Sequence, residues 1–454
     1  MLPWRGSWAR IAGTGPNSPS IRCRLGGAAV SLDSSPAGRP DRLAATCDVP
    51  SASLKIVHSM HRIQGMTKGL VRARELEALE RRLRAHPVVA ILGARQVGKT
   101  TLARQLVARR AGATHFFDAE RAEDATTLAQ PELALRGLRG LVVIDEVQRV
   151  PQVFPALRVL ADRPRTPARF LLLGSASPEL VGRSSETLAG RIDFHELAGF
   201  SLEEVGIEEL DRLWLRGGFP RSFLAASDRE SSAWRRGFVR TFLERDLPQL
   251  GVRVPSATLR RAWGMLAHYH GQIWNASEIA RSFGVAHTTV QRWVDLLEGT
   301  YMVRQLPPWS ANLAKRQVKA PKIYLTDTGL LHHLLGVRTH RELETHPKLG
   351  ASWEGFALDG VVRQLGAERE ECFFWGTYGG AELDLLVVRG QRRIGFEFKR
   401  TLEPTLTRSM LVALEDLGLE RIDVLHAGER TFPIHPKVRA VALSRVLEDL
   451  KPIR

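Results

Sequence analysis

Two short segments of this 454-residue sequence hold the side-chain types and spacing that a bound triphosphate requires. Gly93-Ala94-Arg95-Gln96-Val97-Gly98-Lys99-Thr100, with Thr101 behind it, fits G-x-x-x-x-G-K-[ST] in full. The glycines let the backbone curl with its N–H groups inward. Lys99 would bridge the β- and γ-phosphates, and the Thr100 hydroxyl would ligate Mg2+. Further on, Asp145 and Glu146 end the apolar run "LVVI". Asp145 is expected to hold the magnesium through water, and Glu146 to orient and deprotonate an attacking water. The pair predicts ATP hydrolysis rather than nucleotide binding alone. Ser175, after the run "RFLLLG", is a candidate sensor of the terminal phosphate. Arg191 is a candidate contact to phosphate or to a neighbouring subunit. A simple turn and a solvated arginine are the plainer alternatives for these two.

These residues need a strand, a tight loop and a helix to position them. "PVVAILG" is a short apolar strand, and "KTTLARQLVARR" is a helix whose positive dipole end faces the same oxygens, with Thr101 as a packing residue. "VRARELEALERRLRAH" repeats its apolar residues at helical spacing, so an amphipathic helix should pack on this unit.

A second constellation lies towards the other end. Glu354 sits in "SWEGFALDGVVRQL", an amphipathic helix, and Asp384 sits inside the strand "ELDLLVV". Glu397 and Lys399 are two apart in "GFEFKR", so they share one strand face. A buried acid at Asp384 needs a partner or a metal, because an unpaired buried charge is costly. A cross-strand Glu–Lys pair is the plain alternative, and Glu382 and Arg400 read as solvated. The arrangement resembles the PD-(D/E)xK nuclease fold. That resemblance implies a second divalent site, for Mg2+ or Mn2+, on Glu354, Asp384 and Glu397, with Lys399 as catalytic partner. The histidine pairs His268/His270 and His332/His333 lack a third ligand at metal spacing.

Between the two sets, "NASEIARSFGVAHTTVQRWVDLLEG" has a helix-turn-helix rhythm. Ser277 would cap the first helix, and Ile279, Ala280, Val285, Val290, Val294 and Leu297 would pack. His287, Thr288, Gln291 and Arg292 would face outward, towards bases or phosphates. "YMVRQLPPW" and "VKAPKIYLTD" would pair as a basic wing with Lys315, Arg316, Lys319 and Lys322. A protein-docking winged helix is the competing reading.

Lysine and arginine exceed the acids by 65 to 49, a net charge of +16 that favours polyanions such as DNA or RNA. The three scattered cysteines make neither a disulfide framework nor a zinc spacing, which fits a reducing cytoplasm. No apolar run is long enough to span a bilayer, so a cytoplasmic protein without membrane partners is expected. The Gly/Ser/Pro-rich stretch 1–65 has no helix or strand period, and a transit peptide or a translation start at Met60 or Met66 are both open. A start at one of these methionines is the favoured reading.

"GARQVGKTT", "VVIDEVQRVP", "LLLGSAS", "LAGRIDFHELAGFSLEE", "GGFP", "FVRTFLERDLPQLG" and "KIYLTDTGLLHHLLG" also resemble, in order, segments of a family of bacterial and archaeal AAA-type ATPases. The resemblance implies an α/β fold: a P-loop NTPase domain at 66–205, a helical region at 206–270, a winged-helix-like segment at 271–335 and a restriction-nuclease-like end at 336–454. The expected activity is ATP hydrolysis coupled to a nucleic-acid-associated process, with a homo-oligomer as a candidate assembly. The alternatives are an ATP-dependent switch with a non-catalytic C-terminal binding domain, and a metal-dependent nuclease gated by ATP.

Overall fold

The apolar runs around the glycine-rich loop form a five-stranded, all-parallel sheet. Its strands are β1 (Val88–Leu92), β2 (Thr114–Asp118), β3 (Gly140–Asp145), β4 (Ala168–Leu173) and β5 (Ile192–Glu196), in the order β2-β3-β4-β1-β5. β1 and most of β3 and β4 are buried, as uninterrupted Val/Ile/Leu runs covered on both faces should be. Helix α1 (Ala73–Ala85) buries Leu76, Leu79 and Leu83, and α2 (Lys99–Arg109) comes directly after the loop. The strand order inserts β4 between β1 and β3. The loop after β1 and the acids after β3 therefore open at the same carboxyl edge of the sheet. The computed structural model describes residues 70–164, 168–174, 187–310 and 318–453, which belong to a single compact unit. The stretch 1–65, Ser175, Lys315 and Arg316 lie outside the described residues.

The middle of the chain is helical. Helix α3 (Asp228–Thr241) is capped by the Ser227 side chain and runs into one turn of π-helix, Phe242–Asp246. Then come α4 (Ser256–His268), α5 (Ala276–Phe283) and α6 (His287–Gly299). Three short strands, β6 (Gln272–Ile273), β7 (Val303–Leu306) and β8 (Lys322–Leu325), pair antiparallel in the order β6-β8-β7. The expected pairing of "MVRQL" with "KIYL" is present, from Val303↔Leu325 to Leu306↔Lys322. Ile279, Ala280, Val290, Val294 and Leu297 are buried as expected, but Val285 is exposed. Gly284 ends α5 in the left-handed region, and Val285 N–H bonds back to Ala280, which turns its side chain outward. Asn275, rather than Ser277, caps α5: its Oδ1 accepts from Ser277 N–H.

The last part pairs α7 (Leu349–Leu365) with a six-stranded mixed sheet. Strands β9 (Cys372–Gly376), β10 (Glu382–Arg389) and β11 (Arg392–Lys399) form an antiparallel meander. Helix α8 (Arg408–Leu417) crosses over to β12 (Arg421–His426), parallel to β11. β13 (Phe432–His435) and β14 (Val438–Ala442) complete the order β13-β14-β12-β11-β10-β9.

The cores do not respect the boundaries expected from sequence. One joins Leu76 and Ile91 to Trp263, Val290 and Leu331, and another joins Phe200 and Trp214 to Tyr324, Trp353 and Phe396. A buried polar knot links the same regions. Ser352 Oγ accepts from Trp214 Nε1 at 3.0 Å and lies 2.7 Å from His332 Nε2, whose Nδ1 is 3.0 Å from Leu215 O. Burial pushes His332 down to about 3, so the ring is neutral. Ser352→Ala is expected to strand both partners and cost about 1–3 kcal/mol, read from the denaturant midpoint. An unchanged midpoint would show that the knot adds nothing.

Candidate functional site

The loop after β1 owes its shape to glycine. Gly93 and Gly98 have φ of +150° and +104°, and a Cβ on Gly93 would lie 2.2 Å from Leu197 O. Val97 and Ala94 are buried beneath the loop, so the turn is anchored from below. Lys99 begins α2 and is itself buried. Its Nζ donates to Gly93 O and Ala94 O at 2.9 Å each. Burial pushes its pKa down to about 8, while Glu146 and Asp145 pull the other way. Thr101 is exposed rather than packed: the second threonine of the motif falls on the solvent side of α2.

Thr100 Oγ1 donates to Asp145 Oδ2 at 2.8 Å, joining the loop to the end of β3. Asp145 is raised above the ordinary carboxylate value, chiefly by burial, with Glu146 adding repulsion. Glu146 takes a left-handed φ of 52°, uncommon for a residue with a side chain, and its N–H donates to Asp145 Oδ1 at 3.0 Å. Its carboxylate accepts from Gln148 and faces a cleft shared with Gly93 and Arg95. Loop, threonine, aspartate and glutamate thus come together as the sequence implies.

Arg191 does not join them. It precedes β5, whose other end, Glu196, is level with Leu92, so it lies at the opposite edge of the sheet. There it forms a two-pronged pair with Asp162, at 2.6 and 2.8 Å. Of the expected outward residues on α6, His287, Thr288 and Arg292 are exposed. Gln291 is half-buried, accepting from Trp274 and donating to Asp295.

The second constellation also converges, with an addition that alters it. The register Leu385↔Phe396 sets Asp384 beside Glu397, and α7 brings Glu354. Lys322, expected on a basic wing, is instead only 3% exposed and enters this cluster from β8. Its Nζ lies 2.5 Å from Glu382, 3.1 Å from Asp384 and 3.5 Å from Glu354. Tyr324, on the same face of β8, donates to Glu354 at 2.5 Å. Burial opposes the charge on Lys322, yet Tyr324, Asp384, Glu354 and Glu382 hold its pKa above the ordinary lysine value. Burial, then repulsion from Asp384, pushes Glu354 up to about 7 and Glu397 up to about 8. Lys399 lies 2.9 Å from Glu397 and 3.9 Å from Asp384.

Among the described residues no group of three or more His, Cys, Asp or Glu side chains is placed to hold a metal ion. Of the three acids expected to hold a second divalent ion, Glu354 and Asp384 share the Lys322 ammonium, and Glu397 pairs with Lys399. Glu382 is not merely solvated, since it pairs with that lysine. Sequence reasoning missed Lys322 and Tyr324 here. The signal was the alternation in "KIYL", a lysine within an apolar strand, whose burial demands acids from elsewhere.

Residues 85–206 match the family described as AAA domain. Residues 207–341 and 349–446 match two families described as domains of unknown function (DUF8612 and DUF4143). An uncharacterized protein of Mycobacterium tuberculosis is 54% identical over 379 residues, covering 83% of this chain and 85% of that protein. The chain belongs to the same family. A Mycobacterium bovis member matches with the same figures. This chain joins an AAA-type P-loop domain, bearing Lys99, Thr100 and Asp145, to two further domains. Among solved structures, the Walker-type ATPase of Pyrococcus abyssi is similar at 15% identity and TM-score 0.41, over 59% of this chain and 96% of that one. The Thermotoga maritima RuvB Holliday junction branch migration motor is similar at 18% identity and TM-score 0.26, over 52% of this chain and 90% of that one. No helix among the described residues is long and apolar enough to cross a membrane.

Proposed function

We propose that this protein binds and hydrolyses ATP at the loop Gly93–Thr100 and uses the cycle in a nucleic-acid-associated process. The observation that carries the first half is the 2.8 Å contact between Thr100 and Asp145. The hydroxyl and carboxylate converge beside the loop, so the residues present fit a magnesium ion, which Thr100 and Asp145 would hold. The ion would supply neutralisation of phosphate charge. The chain supplies the rest. Backbone N–H groups of the loop bind phosphate oxygens, and Lys99 adds its charge once it turns from Gly93 O and Ala94 O. Glu146 orients a water and takes its proton.

The second half rests on the +16 charge and on the exposed His287, Thr288, Arg292 and Lys319 around the winged-helix-like α5, α6, β7 and β8. ATP turnover measured with and without duplex DNA tests it. Turnover should rise about tenfold with DNA, and the gain should vanish as salt is raised, because phosphate contacts release counterions. A DNA-independent rate would move the reading to a protein partner.

A second reading of the C-terminal part is favoured by one observation. The helix–meander–helix–strand order from α7 to β12, with Asp384, Glu397 and Lys399, supports a nuclease-like architecture. Lys322 within its carboxylates favours a non-catalytic binding domain over a metal-dependent nuclease.

A further inference from the structure

Arg95 is the charged residue of the stretch Gly93–Gly98, and its partner comes from far along the chain. Its Nη1 lies 2.8 Å from Asp246 Oδ1 and 3.4 Å from Gln249 Oε1. Asp246 closes the π turn that comes after α3. A π turn adds a residue to the helix and re-aims the residues beyond it by roughly 100°, the angle between α-helical residues. Here the residue it delivers to the phosphate loop is an acid. Asp246 is 5% exposed, and its Oδ2 has no hydrogen-bond partner among the described residues. It borders the cleft that also holds Arg95 and Glu146. Burial raises its pKa, against the pull of Arg95.

A buried carboxylate with one oxygen unpaired is costly, and it depends on the cation in direct contact with it. Arg95 is that cation, and it stands on the loop whose task is to surround phosphates. Its guanidinium therefore has two anionic claims on it, one from the helical region and one from the nucleotide.

We propose that Asp246 is a positioning residue of the nucleotide site, and that the Arg95–Asp246 pair reports nucleotide occupancy to the helical region. This rests on the ATP reading above. Nucleotide phosphates draw Arg95 from Asp246, the uncompensated carboxylate changes its surroundings, and the π turn repacks. The coupling runs both ways, as linkage requires. A partner that repacks the π turn alters nucleotide affinity by the same factor.

The test tracks hydrogen exchange of residues 242–249 in the full-length protein, with and without a non-hydrolysable ATP analogue, alongside the dissociation constant. In the wild-type protein the analogue should change exchange in this segment about tenfold. Asp246→Asn keeps the shape and frees Arg95, so it should tighten analogue binding about tenfold, lower KM without raising kcat, and silence the exchange response. A merely structural role would loosen binding or leave it unchanged. The reciprocal exchange Arg95→Asp with Asp246→Arg should restore the stability lost in Arg95→Asp alone. Analogue binding with no exchange response, or a response that survives Asp246→Asn, overturns the proposal while sparing the ATP reading. No analogue binding by the wild-type protein overturns both.

Discussion

Lys322→Met should lower the stability of the whole unit by about 3–5 kcal/mol, the range for breaking a buried ion pair by removing one partner. Methionine fills similar space, so the loss comes from charge rather than from a cavity. Without the ammonium, Asp384, Glu354 and Glu382 face one another across a gap they now share unneutralised. Two further results are expected on the same grounds. Adding Glu354→Gln and Asp384→Asn to Lys322→Met should recover most of the loss, because the two buried acids are then neutral and Glu382, 46% exposed, stays hydrated. Millimolar Mn2+ should stabilise the single variant and leave the wild-type protein unmoved, since binding to the folded state alone adds stability. Denaturant midpoints report all three. A midpoint unchanged by Lys322→Met would mean that the ammonium is not holding the cluster together.

Glu146→Gln should reduce ATP turnover by about 10²–10⁴-fold, the usual contribution of a positioned general base. Nucleotide affinity should stay within a few fold, because the loop, Lys99 and the Thr100–Asp145 contact are untouched. The amide keeps the shape of the carboxylate and can still meet Gln148, but it cannot accept the proton of the attacking water. Single-turnover hydrolysis and equilibrium binding separate the two effects. A wild-type rate would move the base elsewhere, with Glu120, on the same cleft, the next acid to replace.

The nucleotide site was legible because its chemistry is local. Gly93, Gly98, Lys99 and Thr100 are neighbours in sequence, and their spacing alone dictates the turn. Asp145 and Glu146 were legible because an apolar strand ending in two acids has few other uses beside such a loop. The convergence of Glu354, Asp384 and Glu397 could also be read, since alternation and helical period fix the faces they occupy. What occupies their midst could not. Lys322 reaches Asp384 across 62 positions, and while the alternation in "KIYL" hints that it is buried, nothing local says which acids meet it. Asp246 was hidden for a related reason. Its aim depends on an extra residue in a helical turn, and helical periodicity assumes that no such residue exists. Arg191 was hard to place for the opposite reason: an arginine near a plausible strand end lies at the end of β5 away from the loop, paired with Asp162.

The pairing of Lys322 also imposes an order on how this polypeptide can mature. Chains leave the ribosome from the amino end, and segments tend to fold as they emerge. β7 and β8 are complete when Leu325 appears, and their hairpin could form at once. Yet every carboxylate that neutralises Lys322 is encoded later, Asp384 by 62 residues. Until β10 is made, the hairpin carries a lysine that must stay hydrated, so it cannot seal its inner face. The hairpin therefore waits for β10 before its inner face can close. A chain truncated before β10 would be more than shortened. It would be left holding a charge that its own interior cannot receive.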